Sequence, residues 1–341
     1  MSTSRKTRTI RFHCFGEPAD VLRLEETEVP EPGKGRIRIA VHACGLTPAD
    51  AGLCRGLFPG ELPRGIGLES SGIVDAVGEG VSDVAVGQRV LGVPDYAGAP
   101  VGGASDFAIL NAWARMPDGL DFARAAALPM AVETAYRSLD QLGVGADRSV
   151  LVSGAGTTVG FAAVQIALLR GALVFATAGA TYAERLRALG AKVTSYEAGL
   201  ADRVLRLAGG PVELALDTAP VNVSSTVNSA LADLVRAVGG NPKRVLTISD
   251  FGAAAKLGVR TSFDPEGAIT GGSETPQLDE GAAAKTTHML RYDVLGEFAT
   301  LAGEGRFSIP IARSFRLEEW RQALDLLLTG NARGKLLLLP R

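Results

Sequence analysis

Between residues 149 and 250 the chain alternates short apolar, β-branched runs with longer segments of helical spacing. In order these are SVLVSG, TVGFAAVQIALLRG, ALVFATA, YAERLRALG, KVTSY, ADRVLRLAG, VELALDTA, STVNSALADLVRAVG and RVLTISD. No other feature narrows the fold as far. Strands joined through helices run parallel, and the helices must then cover both faces of the sheet. The first strand and helix are joined by GAGTTVG, whose Gly154, Gly156 and Gly160 are spaced G-x-G-x-x-x-G. A turn that holds a dinucleotide needs glycine, because the chain must reverse sharply and bring its N–H groups against a pyrophosphate. The helix that follows offers its positive end to the phosphates. A glycine motif alone is weak evidence, since many strand–helix turns contain glycine. Here the turn opens the first strand–helix unit, where such sites lie. Thr157, Thr158 and Val159 fall at the helix start, where a hydroxyl caps N–H groups or touches phosphate.

The same stretch, VLVSGAGTTVGFAAVQIALL, is long and uncharged enough to pass for a membrane span. Its first third is β-branched, its middle is glycine and threonine, and Arg170 closes it. A strand–turn–helix unit accounts for that change of character, so no membrane segment is expected.

The first 120 or so residues differ in texture, with short alternating runs punctuated by Gly and Pro. RIRIAVHA (36–43) sets Ile37, Ile39 and Val41 against charged positions, as a half-buried strand does. SGIVDAVGEGVSDVAVGQRVLGV (71–93) supplies two more strands around glycine turns. Residues 121–143 read as helical, broken at Pro129 and ended by Gly143. Residues 264–288 have no periodicity; a connection of that length is either mobile or functional. After it come a helix (YDVLGEFATLAGEG), a strand (SIPIARSF), a helix (LEEWRQALDLLLTG) and a strand (KLLLLP), which need not join the central sheet.

With 341 residues, 46% hydrophobic and 21% charged, the chain can bury a substantial core, enough for two ordinary domains or one large one. A net charge of −2 gives no field that would gather nucleic acid or an anionic membrane. Cys14, Cys44 and Cys54 are too few and too scattered for a disulfide framework or a C-x-x-C zinc site. A reducing, cytoplasmic setting is expected. The basic start MSTSRKTRTIRFH is followed by no apolar segment, so it does not read as a secretory signal.

The second strand bears on the cofactor. An NAD site usually ends that strand with Asp or Glu on the ribose hydroxyls. This one ends FATAGATYAERLR, with no carboxylate before Glu184. Gly179 and Ala180 leave room for a 2′-phosphate, with Arg185, Arg187 and Tyr196 as its candidate partners, which favours NADPH. The competing reading puts both arginines on a solvated helix face.

Several stretches together resemble the medium-chain dehydrogenase/reductase superfamily, in particular its zinc-independent quinone oxidoreductase branch. They are ACGLTPADAGLCRGLFPG, GLESSGIVDAVGEGVSDVAVGQRVLG, GGASDFAIL, ALPMAVETAYRSL, VLVSGAGTTVGFAAVQIA, ELALDTA and ARGKLLLLP, spread over nearly the whole chain. The resemblance implies an α/β protein with two domains. A GroES-like β-rich catalytic domain takes residues 1–122 and 291–341, and a Rossmann domain with a doubly wound parallel sheet takes 123–290. It also implies NADPH in the cleft, a homodimer formed through Rossmann edge strands, and hydride delivery to a quinone, enone or enoyl thioester.

Zinc-dependent relatives carry an early Cys ligand and a G-H-E motif. Here the motif is Gly67-Leu68-Glu69, and GLTPADAGL (45–53) has no cysteine, so no zinc is expected. Catalysis then depends on positioning and on a hydrogen-bond donor at the oxygen where charge develops. Relatives commonly place Asn where this chain has Thr47, and a tyrosine where it has Gly52. Tyr96 and His288 are substitute donors, and Asp50 is placed to orient a neighbour. The plainer readings are a loop aromatic for Tyr96, a surface histidine for His288 and a turn or cap residue for Asp50. Water is an alternative proton source. Thr134, Thr218, Asn331 and Lys335 occupy positions that line the cofactor in relatives. Against this stand helix packing for Thr134 and a solvated strand end for Lys335. Relatives typically read G-A-A-G-G-V-G at the turn, so either threonine hydroxyls help hold the pyrophosphate or the turn is reshaped and binding weakened. Two further functions stay open: a carbonyl reductase or alcohol dehydrogenase without zinc, and a nucleotide-binding protein with little or no turnover.

Overall fold

The computed structural model describes residues 5–58, 60–221, 230–263 and 290–341. Within them the chain forms two compact units, one from residues 5–133 and 290–341, the other from 134–221 and 230–263. The first crossing between units falls inside the helix Pro129–Leu142, which ends at Gly143 in the left-handed region (φ 70°). The expected break at Pro129 is where this helix begins, after a separate short helix, Phe122–Ala126.

The N-terminal strands are β1 (Lys6–Phe12), β2 (Arg23–Glu28), β3 (Ile37–Leu46), β4 (Arg64–Gly65), β5 (Glu69–Val77), β6 (Arg89–Pro94) and β7 (Phe107–Arg115). Strands β2, β1 and β4 form a small antiparallel sheet. Strand β3 pairs with β5 along one edge and with β7 on the other, and β5, β6 and β7 are linked in sequence, so this sheet curls back on itself. Register shifts at Arg38/Ile39 and Val41/Ala43 bend β3, as bulges do. The alternation read in RIRIAVHA puts Ile37, Ile39 and Val41 in the core at 0% exposure. Arg38 is also buried, held by Asp75 (2.7 Å) and Glu31 (3.0 Å).

The second unit contains β8 (Ser149–Ser153), β9 (Leu173–Thr177), β10 (Lys192–Thr194), β11 (Leu214–Asp217), β12 (Val245–Thr247) and β13 (Arg260–Thr261). All pairs are parallel, in the spatial order β10-β9-β8-β11-β12-β13. That is the doubly wound dinucleotide-binding order, and the winding reverses between β8 and β11. Two elements exceed the expected alternation, the helix Phe251–Leu257 and β13. Asp250 Oδ1 starts that helix by accepting from Ala253 N (3.0 Å), and Gly258 (φ 69°) ends it.

The chain returns to the first unit as β14 (Ile311–Arg316) and β15 (Lys335–Leu339). Strand β15 lies between β14 and β3, with Leu336 opposite Leu46 and Leu338 opposite Cys44. The C-terminal strands therefore complete the N-terminal sheet. Among the described residues, no helix is long and apolar enough to cross a membrane.

Candidate active site

The nucleotide half begins at the winding reversal, where β8 and β11 pair Ser153 with Asp217. Each strand's next residue is therefore side by side with the other's, Gly154 beside Thr218. Gly154 holds φ +72°, and its N–H donates to Thr177 Oγ1 (3.0 Å). Its carbonyl oxygen accepts from Thr157 N (2.9 Å) and from Thr218 Oγ1 (3.0 Å).

Thr157 is the N-cap of the helix Thr158–Leu169. Its Oγ1 accepts from Gly160 N (3.0 Å) and donates to Thr218 Oγ1 (3.2 Å), which in turn donates to Ser153 O (2.8 Å). Thr157 is thus turned inward, and of the two hydroxyl roles expected of this position the structure assigns capping. Thr158 is the first helical residue and half-buried. A methyl group on Gly160 would collide with the Gly154 carbonyl oxygen, which explains why that residue is glycine. Among the described residues, the amides of Gly156, Thr158 and Val159 make no hydrogen bond. The tight turn, the capped helix start and these three N–H groups fit a nucleotide pyrophosphate.

Gly179 caps the helix Ala180–Leu189, and the Tyr196 ring stands against it; Tyr196 is 68% exposed. Arg187 bonds to Glu184 (an exposed i, i+3 ion pair) and to the Val193 carbonyl oxygen (3.3 Å). Arg185 lies over the Phe161 ring, 4.9 Å from its centroid. Tyr182, not anticipated from sequence, packs edge-on against Phe161 (5.7 Å), and a Cβ on Gly156 would stand 3.3 Å from its Cδ2. It was hidden because an aromatic near the start of a solvated helix carries no motif. Thr134 is half-buried on the helix Pro129–Leu142, where its carbonyl oxygen accepts from Ser138 Oγ (2.6 Å).

The donor half lies in the first unit. Thr47 precedes the helix Pro48–Cys54, and Asp50 reaches back to it: Oδ2 accepts from Thr47 N (2.7 Å) and Thr47 Oγ1 (3.1 Å). Asp50 Oδ1 accepts from Gly67 N (2.7 Å). At 1% exposure Asp50 is inaccessible; burial raises its pKa to about 6, although these bonds favour the carboxylate. It is the cap that sequence allowed, and it does orient a neighbour, Thr47. The Thr47 hydroxyl already donates to it, so an ionised Asp50 leaves that hydroxyl no proton for a ligand. Tyr96 is half-buried in a loop after β6, its ring packed on the core and edge-on to Phe58 at 6.4 Å. His288 and the connection 264–288 lie outside the described residues.

Lys335 is not at a solvated strand end. It is 3% exposed, and its Nζ sits on Glu69 Oε1, while Glu69 Oε2 accepts from Met130 N (2.9 Å). The Glu69 carboxylate fills the space a side chain on Gly45 would need. Asn331 is exposed in the turn before β15, its N–H bonded to Thr329 Oγ1 (3.2 Å).

Two family models match the chain in series: "alcohol dehydrogenase GroES-like domain" over residues 33–116 and "zinc-binding dehydrogenase" over 189–338. The chain belongs to the medium-chain dehydrogenase/reductase superfamily. Within it the chain is quinone oxidoreductase-like, and that family uses a nicotinamide cofactor; the chain spans less than two thirds of the length of the curated relatives it matches. It is 37% identical over 193 residues to the quinone oxidoreductase of Rattus norvegicus, covering 54% of this chain and 57% of that one. It is 32% identical over 309 residues to erythronolide synthase EryA2 of Saccharopolyspora erythraea, covering 89% of this chain but 8% of the synthase. Among solved structures, the quinone oxidoreductase of Coxiella burnetii matches with a TM-score of 0.74 and 25% identity, covering 99% of this chain and 100% of its own.

The name of the second model raises the question of zinc, and the donor set bears on it. Leu68 stands at the histidine position, and Glu69 is neutralised by Lys335. Cys44 is fully buried, and burial first, then the charges of Asp50 and Glu69, push its thiol well above the usual range. Among the described residues, no three of His, Cys, Asp and Glu converge as a metal site would require. These residues do not fit the metal.

Proposed function

We propose that the chain is an NADPH-dependent, zinc-independent reductase that delivers hydride to a quinone, enone or other conjugated double bond. The observation that carries this reading is the glycine turn. Its two threonines leave the turn tight, and three helix-start amides stay available. Gly154, Gly156, Thr158, Val159 and Gly160 would hold the pyrophosphate, with Thr157 bracing the turn from within. Thr134 and Thr218 would line the nicotinamide side, and Gly179, Tyr196 and Arg185 the phosphorylated ribose. When bound, the cofactor supplies the hydride.

The rest falls to the first unit. As the acceptor carbon is reduced, charge builds on the conjugated oxygen, and a donor there lowers the barrier. Tyr96 is the donor this reading favours, because the Thr47 hydroxyl is engaged by Asp50. Lys335 would act by fixing Glu69. A second reading, reduction of an enoyl thioester, fits the match to erythronolide synthase and belongs to the same acceptor class. A homodimer and a cytoplasmic setting belong to the same proposal.

Titration of the purified protein with NADPH and with NADH, followed by nucleotide fluorescence, tests it first. Tight NADPH binding with weak NADH binding is expected, then NADPH oxidation with some member of a quinone, enone and enoyl-thioester panel. Saturable binding without turnover would favour a nucleotide-binding protein, and failure to bind either nucleotide would overturn the reading.

A further inference from the structure

Arg64 heads the fully buried side chains by volume, at 1% exposure, yet among the described residues no carboxylate pairs with it. Its Nε and Nη2 donate to the carbonyl oxygen of Tyr96 (3.0 and 2.6 Å), and its Nη1 donates to that of Phe58 (2.9 Å). Two other buried cations, Lys335 and Arg38, rest on carboxylates. The placement is built in. Arg64 is anchored opposite Phe12 in the β1–β4 ladder, and Gly60 (φ +150°) lets the chain pass against the guanidinium, where a Cβ would stand 2.7 Å from Cζ.

A buried cation without a counter-charge is costly, and arginine does not escape by losing its proton. Its charge therefore acts on its surroundings, and it is felt by the Tyr96 phenol, on the residue whose carbonyl it holds, and by the Cys54 thiol. Burial pushes the phenol up; Arg64 pulls it down, against Asp95 and Glu133, which push it up.

We propose that Arg64 is the positioning residue for Tyr96. It ties the Tyr96 and Phe58 loops together through their carbonyls and sets an uncompensated positive charge beside the phenol. Tyr96 then gives a stronger hydrogen bond to the substrate oxygen and, as charge builds there, its proton. The phenol O–H bond breaks as the substrate O–H bond forms, and the phenolate, held by Arg64, takes a proton back from water. This rests on the functional reading above.

The test uses the full chain with fluorotyrosine in place of its five tyrosines, so that the phenols ionise at milder pH. Fluorine NMR reports each phenol, and Tyr96→Phe assigns the Tyr96 signal. Arg64→Met should raise the Tyr96 midpoint by about one pH unit or more while the other four signals stay in place. In turnover it should lower kcat about tenfold with little change in KM, and adding it to Tyr96→Phe should cost nothing further. Where Arg64→Met does not fold, Arg64→Gln removes the charge while keeping a donor for one carbonyl, and the same shift is expected. An unmoved midpoint in the folded neutral variant, or multiplicative losses in the double variant, would overturn the proposal. If the wild type reduces nothing on the panel, the functional reading falls, while the fluorine titration still decides the coupling of Arg64 to Tyr96.

Discussion

A methyl group on Gly160 would drive into the Gly154 carbonyl and stand 2.6 Å from Thr218 Oγ1, whereas on Gly156 it would meet only Tyr182, 3.3 Å away. Gly160→Ala should therefore cost roughly 1–3 kcal/mol and abolish nucleotide binding, while Gly156→Ala should cost little stability and weaken nucleotide binding only, its methyl standing beside an amide offered to the pyrophosphate. Thermal melts with and without nucleotide check the pair. Asp50 gives a pH signature. Its native pKa of about 6 lies above its ordinary 3.8, so the native state binds this proton more tightly than the unfolded chain does. Relative to its ionised form, Asp50 then adds stability as pH falls through 6 towards 4, and loses that addition as pH rises. Denaturant titrations should show the gap between wild type and Asp50→Asn widening by about 2 kcal/mol from pH 7.5 to pH 4.5. An unchanged gap would mean that Asp50 is ionised throughout. Sequence could name Gly154, and Asp50 as a turn or cap residue, because turn and cap chemistry is local; Thr47 and Thr218 are reached only through the family resemblance. It could not find Arg64, since a Pro-Arg-Gly step reads as a surface turn until the chain folds around it.

Between elements, the Glu69–Lys335 pair joins β5 to β15 across the first-unit sheet, with β3 lying between the two strands. Removing one member leaves a buried charge without its partner, which typically costs 3–5 kcal/mol. Glu69→Gln and Lys335→Met should each destabilise the protein by about that much, and the double variant by clearly less than their sum, read from denaturant midpoints. The parallel sheet was legible because the strand–helix alternation admits few other folds. The short closing strand β13 was not, since two residues carry no periodicity. The meaning of Glu69 was half-visible. In Gly67-Leu68-Glu69 the lost histidine drew attention to an absent metal, while the glutamate's partner lay beyond the reach of any local pattern.

At the scale of the molecule the first unit is discontinuous, entered twice by the chain, and the second is drawn mostly from one middle stretch. Length allowed two ordinary units or one large one, and their interleaving followed only from family resemblance, because a β-rich half with a missing strand looks complete in sequence. Strand β15 occupies an interior place, between β14 and β3. On a ribosome the consequence is one of timing. Glu69 emerges 266 residues before Lys335, which at ordinary synthesis rates is on the order of 10–50 seconds. Throughout that interval the Cys44–Leu46 end of β3 lacks its partner β15 and Glu69 its counter-ion, while the strands of the second unit are delivered. Stalled chains ending before residue 335 should accordingly protect the middle stretch from protease and leave the N-terminal stretch cleavable. Equal protection of both would show that the early strands close without their last member. The first third of the chain thus waits for the single strand at Lys335–Leu339.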